Sequence, residues 1–218
     1  MAKSRYHTVL FDLDGTLIDS GKGITRSARH ALLHFGIDVA CSELKAFVGP
    51  PLKYSFMELA RLTQDEAEEA IRIYRERYRD KGIYENEVYK GIFEVLNQLQ
   101  DANVTLAVAT SKAEMYALKI LDICGLSPYF HCIVGSELDG RRTEKCEVIE
   151  ETLSRLNLQP GNTGIVMVGD RKYDALGAHK MNIDAIGAAY GYAPRGELEA
   201  SGFIALAQAP LDLPALIL

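Results

Sequence analysis

Thr8-Val9-Leu10-Phe11-Asp12-Leu13-Asp14-Gly15-Thr16-Leu17 decides the fold. Its short apolar run shows no polar alternation, which reads as a strand buried on both faces of a sheet. The run ends at a carboxylate. Ligands of open α/β sheets bind beyond the carboxyl ends of strands, so Asp12 and Asp14 stand where chemistry is done. Two acids two residues apart point the same way on an extended chain, and the turn begun by Gly15 modifies that. Carboxylates held close together repel, and one of them needs a cation or a proton. Such a pair suits a metal-assisted reaction in which one acid attacks and its neighbour shuttles protons. Two plainer readings compete, an Asp-Gly surface turn and the start of a calcium loop. The calcium loop fails, because Thr16 stands where a third Asp or Asn is required and no bidentate Glu closes the loop.

Outward from this run, short apolar stretches recur at residues 104–109, 132–134, 164–168 and 184–187, with helical patterns at 91–102, 112–124, 143–156 and 172–181. Alternating strand and helix predicts right-handed crossovers, and hence an α/β chain whose Rossmann-like parallel sheet is covered by helices. Residues 20–87 break the rhythm with helical patterns and no convincing strand. Within 20–35, Ile24, Ala28, Ala31, Leu32 and Phe35 recur at helical spacing. Thr63-Gln64-Asp65-Glu66 is a capping box that opens a helix running to about Lys81. The expected organisation is an α/β catalytic core of residues 1–18 and 88–218, with residues 19–87 inserted as a small helical cap domain hinged at 17–19 and 87–91. A length of 218 residues suits one core with a sizeable insertion.

A second pair of carboxylates ends another apolar run, in Val166-Met167-Val168-Gly169-Asp170-Arg171-Lys172-Tyr173-Asp174. This spacing puts Asp170 at the strand's end and Asp174 in the first turn of the next helix, near its positive pole. Such oxygen ligands suit magnesium, and the plainer reading is that Asp170 caps the helix. The 104–109 run ends in Thr110-Ser111-Lys112. A hydroxyl and an amide there, where strand meets helix N-terminus, can hold phosphate oxygens or serve as an ordinary cap. Lys145 falls just inside the helix expected from Thr143, at the end where a cation is disfavoured. A ligand anion would resolve that conflict, for Lys145 or for the neighbouring Arg141 and Arg142, and each of the three also reads as a surface charge.

Composition narrows the classes. With 48% hydrophobic and 25% charged residues the chain matches globular proteins, not disordered ones. A net charge of -6 without any basic cluster argues against nucleic acid as a partner. Cys41, Cys124, Cys132 and Cys146 form no Cys-x-x-Cys pair and no zinc spacing, so free thiols in a reducing cytoplasm are expected. The polar residues 1–7 lack a signal-peptide core, and no apolar stretch reaches the roughly 18 residues that span a bilayer, so no membrane partner is expected.

Asp12-Leu13-Asp14-Gly15-Thr16-Leu17, Thr110-Ser111, Lys145 and Gly169-Asp170-Arg171-Lys172-Tyr173-Asp174 resemble, in order and along the whole chain, the four signature motifs of the haloacid dehalogenase superfamily. The insertion after the first motif is similar to that superfamily's small helical cap. Val48-Gly49-Pro50-Pro51-Leu52 and Gly135-Ser136-Glu137-Leu138-Asp139-Gly140 further resemble its phosphoglycolate phosphatase-like branch, some of whose members are 5'-nucleotidases. The resemblance implies Mg2+-dependent hydrolysis of a small phosphorylated metabolite through an aspartyl-phosphate, the substrate being a nucleoside 5'-monophosphate or phosphoglycolate. It implies Asp12 as nucleophile, Asp14 as general acid and base, and Lys145 as the cation that neutralises charge. Thr110 and Ser111, with Gly15 and Thr16, would contact the substrate phosphate. Asp12, the Asp14 backbone carbonyl and Asp170 would hold the metal, with Asp174 a direct or water-bridged ligand. An acid at Asp14 argues against the dehalogenases themselves. Cys146 departs from the Pro that often follows the third-motif Lys.

A lid would shield the aspartyl-phosphate and then admit one water. Gly49-Pro50-Pro51 offers a stiff loop, either to read the leaving group or simply to join two helices. Gly21-Lys22-Gly23 fails as a phosphate loop, and His30 and His34 share a helix face without a metalloprotease Glu. Tyr74 and Tyr78 are expected to pack within the insertion. The rival readings are a phosphomutase of the β-phosphoglucomutase type and a non-catalytic binding protein of the same fold. Monomer and homodimer both stay open. The sharpest expectation is geometric: the Asp12 and Asp170 carboxyls should converge on one divalent ion.

Overall fold

The structure, a computed structural model, describes residues 5–218; residues 1–4, the head of the polar start, lie outside the described residues. In chain order its elements are β1 (Thr8–Phe11), β2 (Ile18–Asp19), α1 (Gly21–His34), a 3-10 segment (Cys41–Phe47), α2 (Leu52–Tyr54), α3 (Gln64–Asp80) and β3 (Glu87–Val88). There follow α4 (Ile92–Asp101), β4 (Thr105–Ala113), α5 (Glu114–Ile123), β5 (Cys132–Ser136), α6 (Lys145–Arg155), β6 (Ile165–Gly169), α7 (Lys172–Lys180), β7 (Asp184–Ala188), β8 (Ala205–Ala207) and α8 (Leu213–Ile217).

Every residue of β1 is buried, and its side chains alternate between two layers. Val9 and Phe11 pack on one face of the sheet and Leu10 on the other. In β6, Val166 and Val168 share the first face while Ile165 and Met167 share the second. A strand covered on both sides has no face to leave polar, which explains the unbroken apolar runs. Helices α4, α5 and α8 contribute Val95, Leu96, Leu99, Ile120, Leu121 and Leu213 to the first face. Helices α6 and α7 contribute Val148, Ile149, Leu153, Ala175 and Ala178 to the second.

The six-stranded sheet has the order β5-β4-β1-β6-β7-β8, with every neighbouring pair parallel. This is an α/β, Rossmann-like arrangement with helices on both faces. The central strand β1 lies between β4 and β6, so the chain's course reverses there and a crevice opens at the carboxyl ends of the three strands. β8 and α8 were not legible as elements, because three residues at a sheet edge and a five-residue helix carry too little periodicity.

Between β1 and α4 the chain leaves the sheet. The segments around residues 17–19 and 87–91 pair as a two-stranded antiparallel ribbon, Ile18 opposite Val88 and Asp19 opposite Glu87. Between them α1 packs against α3. Ile24, Ala28, Ala31 and Leu32 form the buried stripe of α1, while His30 and His34 are exposed. Thr63 and Glu66 make the expected capping box: Thr63 N donates to Glu66 Oε2 at 2.8 Å and Glu66 N to Thr63 Oγ1 at 3.4 Å.

One boundary requires correction. The helix expected from residue 112 begins at Glu114, and Thr110, Ser111 and Lys112 belong to β4. After Ala109 pairs with Val134 the ladder slips, and Ala113 then pairs with Ser136. Such a bulge keeps a strand extended while re-aiming its side chains. Thr110 and Ser111 therefore do not sit at a helix N-terminus.

Candidate active site

Asp12 follows the last residue of β1, and Asp170 follows the last residue of β6. Adjacent parallel strands bring both to one crevice. Asp174 lies in the first turn of α7, where its Oδ2 accepts the Arg171 N–H at 3.0 Å. Gly169 permits that folding back, since a Cβ on it would stand 2.1 Å from Asp174 Cγ. Ligand oxygens of Asp12, Asp170 and Asp174 all lie within 4.8 Å of one another, and all three residues are buried. Asp12 thus converges with Asp170 and Asp174, more than 150 residues away in sequence, and the Asp12 and Asp170 carboxyls meet as expected.

Lys145 is the first residue of α6 and is itself buried. Its ammonium donates to Asp12 Oδ1 at 2.9 Å and to the Ala109 carbonyl at 3.0 Å, and lies 2.8 Å from Asp174 Oδ1. The conflict of a cation at a positive helix end is resolved by these carboxylates. The alternatives Arg141 and Arg142 turn elsewhere, Arg141 to Glu137 and Asp139, Arg142 to Glu114 and the Gly135 carbonyl. Burial by itself would lower the Lys145 pKa, yet Asp12 and Asp174 together raise it above the ordinary lysine value.

Three acids and one ammonium leave the pocket short of positive charge. Burial, and then the charges of Asp12 and Asp174, push the Asp170 carboxyl well above the usual range. Asp174 rises to about 6 for the same first reason, against the opposing pull of Lys145. Asp170 Oδ2 accepts the Tyr192 N–H at 2.7 Å, while its buried Oδ1 has no hydrogen-bond partner. Orphaned buried carboxylate oxygens are costly, and an all-oxygen donor set of this size fits a hard divalent cation.

Asp14 stands apart from this cluster. Its Oδ2 pairs with Lys112 Nζ at 2.7 Å, its buried Oδ1 has no partner, and it lines a cavity. Gly15, at φ +85°, passes so close to Asp170 that a Cβ would lie 2.0 Å from Oδ2. Backbone at Gly15 is thus pressed against the acid cluster. The Thr16 hydroxyl is buried without a hydrogen-bond partner, and its carbonyl accepts the Tyr190 hydroxyl at 3.0 Å. Thr110 is buried beside the cluster's strand, and its Oγ1 accepts the Lys112 N–H at 3.3 Å. Ser111 reaches the cavity, and its carbonyl accepts the Ser136 hydroxyl at 2.9 Å.

The cavity, about 620 Å³, lies between the helical insertion and the sheet's carboxyl edge. Its walls include Asp14, Ser111 and Lys112 from the core, Tyr74 and Tyr78 from α3, and the loop Gly49-Pro50-Pro51. Tyr74 and Tyr78 stack at 5.4 Å, so they do pack within the insertion, yet Tyr78 also meets Tyr116 of α5 at 5.6 Å. Lys112 Nζ stands 4.9 Å from the Tyr78 ring centre. Sequence reasoning missed Lys112, Tyr192 and Arg171 as parts of this region. A Lys directly after Thr110-Ser111 was a signal for the first, while a backbone amide from Tyr192 leaves no trace in sequence.

Comparison with known proteins identifies the family. Residues 9–188 match the family model described as haloacid dehalogenase-like hydrolase. A 5'-nucleotidase of Pseudomonas aeruginosa is 44% identical over 200 residues, covering 91% of this chain and 90% of the relative. A tyrosine-protein kinase, PtkA, of Mycobacterium tuberculosis is 42% identical over 185 residues, 84% of this chain and 62% of the relative. The crystal structure of a predicted phosphatase from Clostridium acetobutylicum superimposes with a TM-score of 0.93 at 42% identity, covering 97% of each chain. Among the described residues no helix is long and apolar enough to cross a membrane. Carried by motif order, by the convergence of Asp12, Asp170, Asp174 and Lys145, and by these likenesses, the conclusion is that the chain belongs to the haloacid dehalogenase-like hydrolase family and is a phosphatase.

Proposed function

We propose that this phosphatase hydrolyses small phosphate monoesters with Mg2+ through an aspartyl-phosphate on Asp12, and that a nucleoside 5'-monophosphate is its substrate. The observation that carries the reading is the buried convergence of three carboxylates, with Lys145 bridging Asp12 and Asp174. Asp12, Asp170 and Asp174, with the Asp14 backbone carbonyl, would hold the metal, which supplies positive charge to phosphate oxygens as they gain negative charge.

The chain's own residues perform the rest. Phosphoryl transfer rests on positioning and on neutralising charge around the transferred group. Lys145 fixes the Asp12 carboxylate, so that its free oxygen attacks phosphorus in line as the ester oxygen leaves. Holding reactants so is worth about 7 to 11 kcal/mol. Asp14 faces the cavity, and from Oδ1, the oxygen that Lys112 leaves free, it passes a proton to the departing alkoxide. The Thr110 hydroxyl and Ser111 amide, with Gly15 and Thr16 beside them, orient the phosphoryl oxygens. In the second step the Asp14 carboxylate takes a proton from water, whose oxygen bonds phosphorus and frees inorganic phosphate and the Asp12 carboxylate. The helical insertion acts as the cap over this sequence of steps.

A cavity of about 620 Å³ walled by tyrosines and prolines supports a leaving group the size of a nucleoside. The 5'-nucleotidase relative supports the same class. Four free, half-buried thiols support a reducing, cytoplasmic setting. The test is phosphate release from nucleoside 5'-monophosphates, phosphoglycolate and a sugar phosphate, each with magnesium and with chelator. Release from nucleotides that chelator abolishes is expected. Activity indifferent to chelator removes the metal, preference for phosphoglycolate replaces the substrate, and isomerised sugar phosphate in place of free phosphate selects the mutase.

A further inference from the structure

Arg171 follows the acid Asp170, yet its side chain leaves the acid cluster and runs toward the insertion. The guanidinium is buried, and Nη1 donates to the Val48 carbonyl at 2.6 Å. Nε and Nη2 fork onto Glu197 Oε1 and Oε2 at 2.8 and 3.3 Å. Glu197 Oε1 also accepts the Lys172 N–H at 3.1 Å, so the acid is anchored to the start of α7. Residue 49 is shaped for this contact. Gly49 has φ +103°, and a Cβ there would stand 2.9 Å from Arg171 Cγ and 3.1 Å from Nη1. A side chain at residue 49 would be strained by its own backbone and would collide with the arginine. Pro50 and Pro51 follow at once, with fixed backbone angles, and Gly49, Pro50 and Pro51 all wall the cavity.

We propose that Arg171 is a positioning residue that, clamped by Glu197, grips the Val48 carbonyl and docks the Gly49-Pro50-Pro51 loop as a wall of the leaving-group cavity. The rigid core thereby sets where that wall stands, and two prolines transmit the setting to the substrate. A point-charge lysine cannot replace the fork, which must satisfy a carboxylate and a carbonyl in two directions at once. The inference rests on phosphatase activity and on the cavity, and does not need the substrate to be a nucleotide.

The test compares wild type with Arg171→Lys, Arg171→Met and Gly49→Ala, on acetyl phosphate and p-nitrophenyl phosphate, with magnesium affinity measured separately by calorimetry. Loss of a charge-assisted hydrogen bond predicts that KM for p-nitrophenyl phosphate rises about tenfold in Arg171→Met. KM should rise much less for acetyl phosphate, whose leaving group fills little of the cavity. Gly49→Ala, altering the other side of the same contact, should reproduce that split, and the double variant should be no worse than the poorer single one. Amide hydrogen exchange at Val48, Gly49 and Leu52, which flank the two prolines that carry no amide hydrogen, should quicken in each variant. Equal loss of kcat on both substrates, or weakened magnesium binding, would show that Arg171 acts through Asp170 and would overturn the proposal. So would unchanged exchange in the loop. If Arg171→Met fails to fold, the Gly49→Ala and Arg171→Lys results decide alone.

Discussion

Lys145 illustrates how one side chain links helix physics to chemistry. At the first position of α6 it meets unsatisfied amides and a positive pole, and nothing local stabilises it there. Asp12 and Asp174 do so from two other elements, and the ammonium in turn orients Asp12. Replacing Lys145 by Met strands buried carboxylates. We expect the chelated variant to lose about 3 to 5 kcal/mol of stability by urea unfolding, as when one partner of a buried pair is removed. Stability equal to wild type would mean that the acids are not charged around it. Asp12→Asn is the complementary change. It removes the attacking oxygen's charge with almost no change of shape, so phosphate release should fall by roughly three or more orders of magnitude while the thermal midpoint survives. Steady release in that variant contradicts Asp12 as nucleophile.

At the scale of elements, the bulge of β4 and the capping of α3 matter most. Helical periodicity after residue 112 pointed to a helix start there, yet the strand continues to Ala113 because Ser136 on β5 still offers a pairing partner. Tertiary pairing overrode local preference. The extension holds Ser111 against Ser136 and aims Lys112 at Asp14 and Tyr78. In α3 local sequence and structure agree. Thr63→Ala should cost about 1 kcal/mol, a fall of roughly 2 to 4 °C in the thermal midpoint for a chain of this size. Calorimetry reads this directly, and no shift would mean that the cap hydrogen bonds to water equally well.

For the whole molecule, the governing quantity is charge in the crevice where β1, β4 and β6 end. Three clustered acids against one ammonium favour any cation that binds the folded state alone. Magnesium at roughly a hundredfold above its dissociation constant should stabilise the protein by about 2.7 kcal/mol, and chelator should reverse it. Thermal unfolding with magnesium, calcium and chelator checks this, and identical midpoints exclude the site. Much of this architecture was legible beforehand. Unbroken apolar runs at residues 8–11 and 164–168 announced doubly covered strands, and strand-helix alternation announced their parallel order. Asp12, Asp14, Asp170 and Asp174 each stood at a place readable from strand ends, and Thr63-Gln64-Asp65-Glu66 announced α3. These are properties of neighbours in the chain, where side-chain period and spacing determine what each residue faces. Other matters arose only when distant segments met. Choosing Lys145 over Arg141 and Arg142, sending Arg171 to Val48, giving the Tyr192 amide to Asp170 and pairing Lys112 with Asp14 all depend on how elements pack across the crevice. Spacing along a chain determines direction within one element, whereas an ion pair between elements exists only after their burial has excluded the water that would otherwise separate the charges.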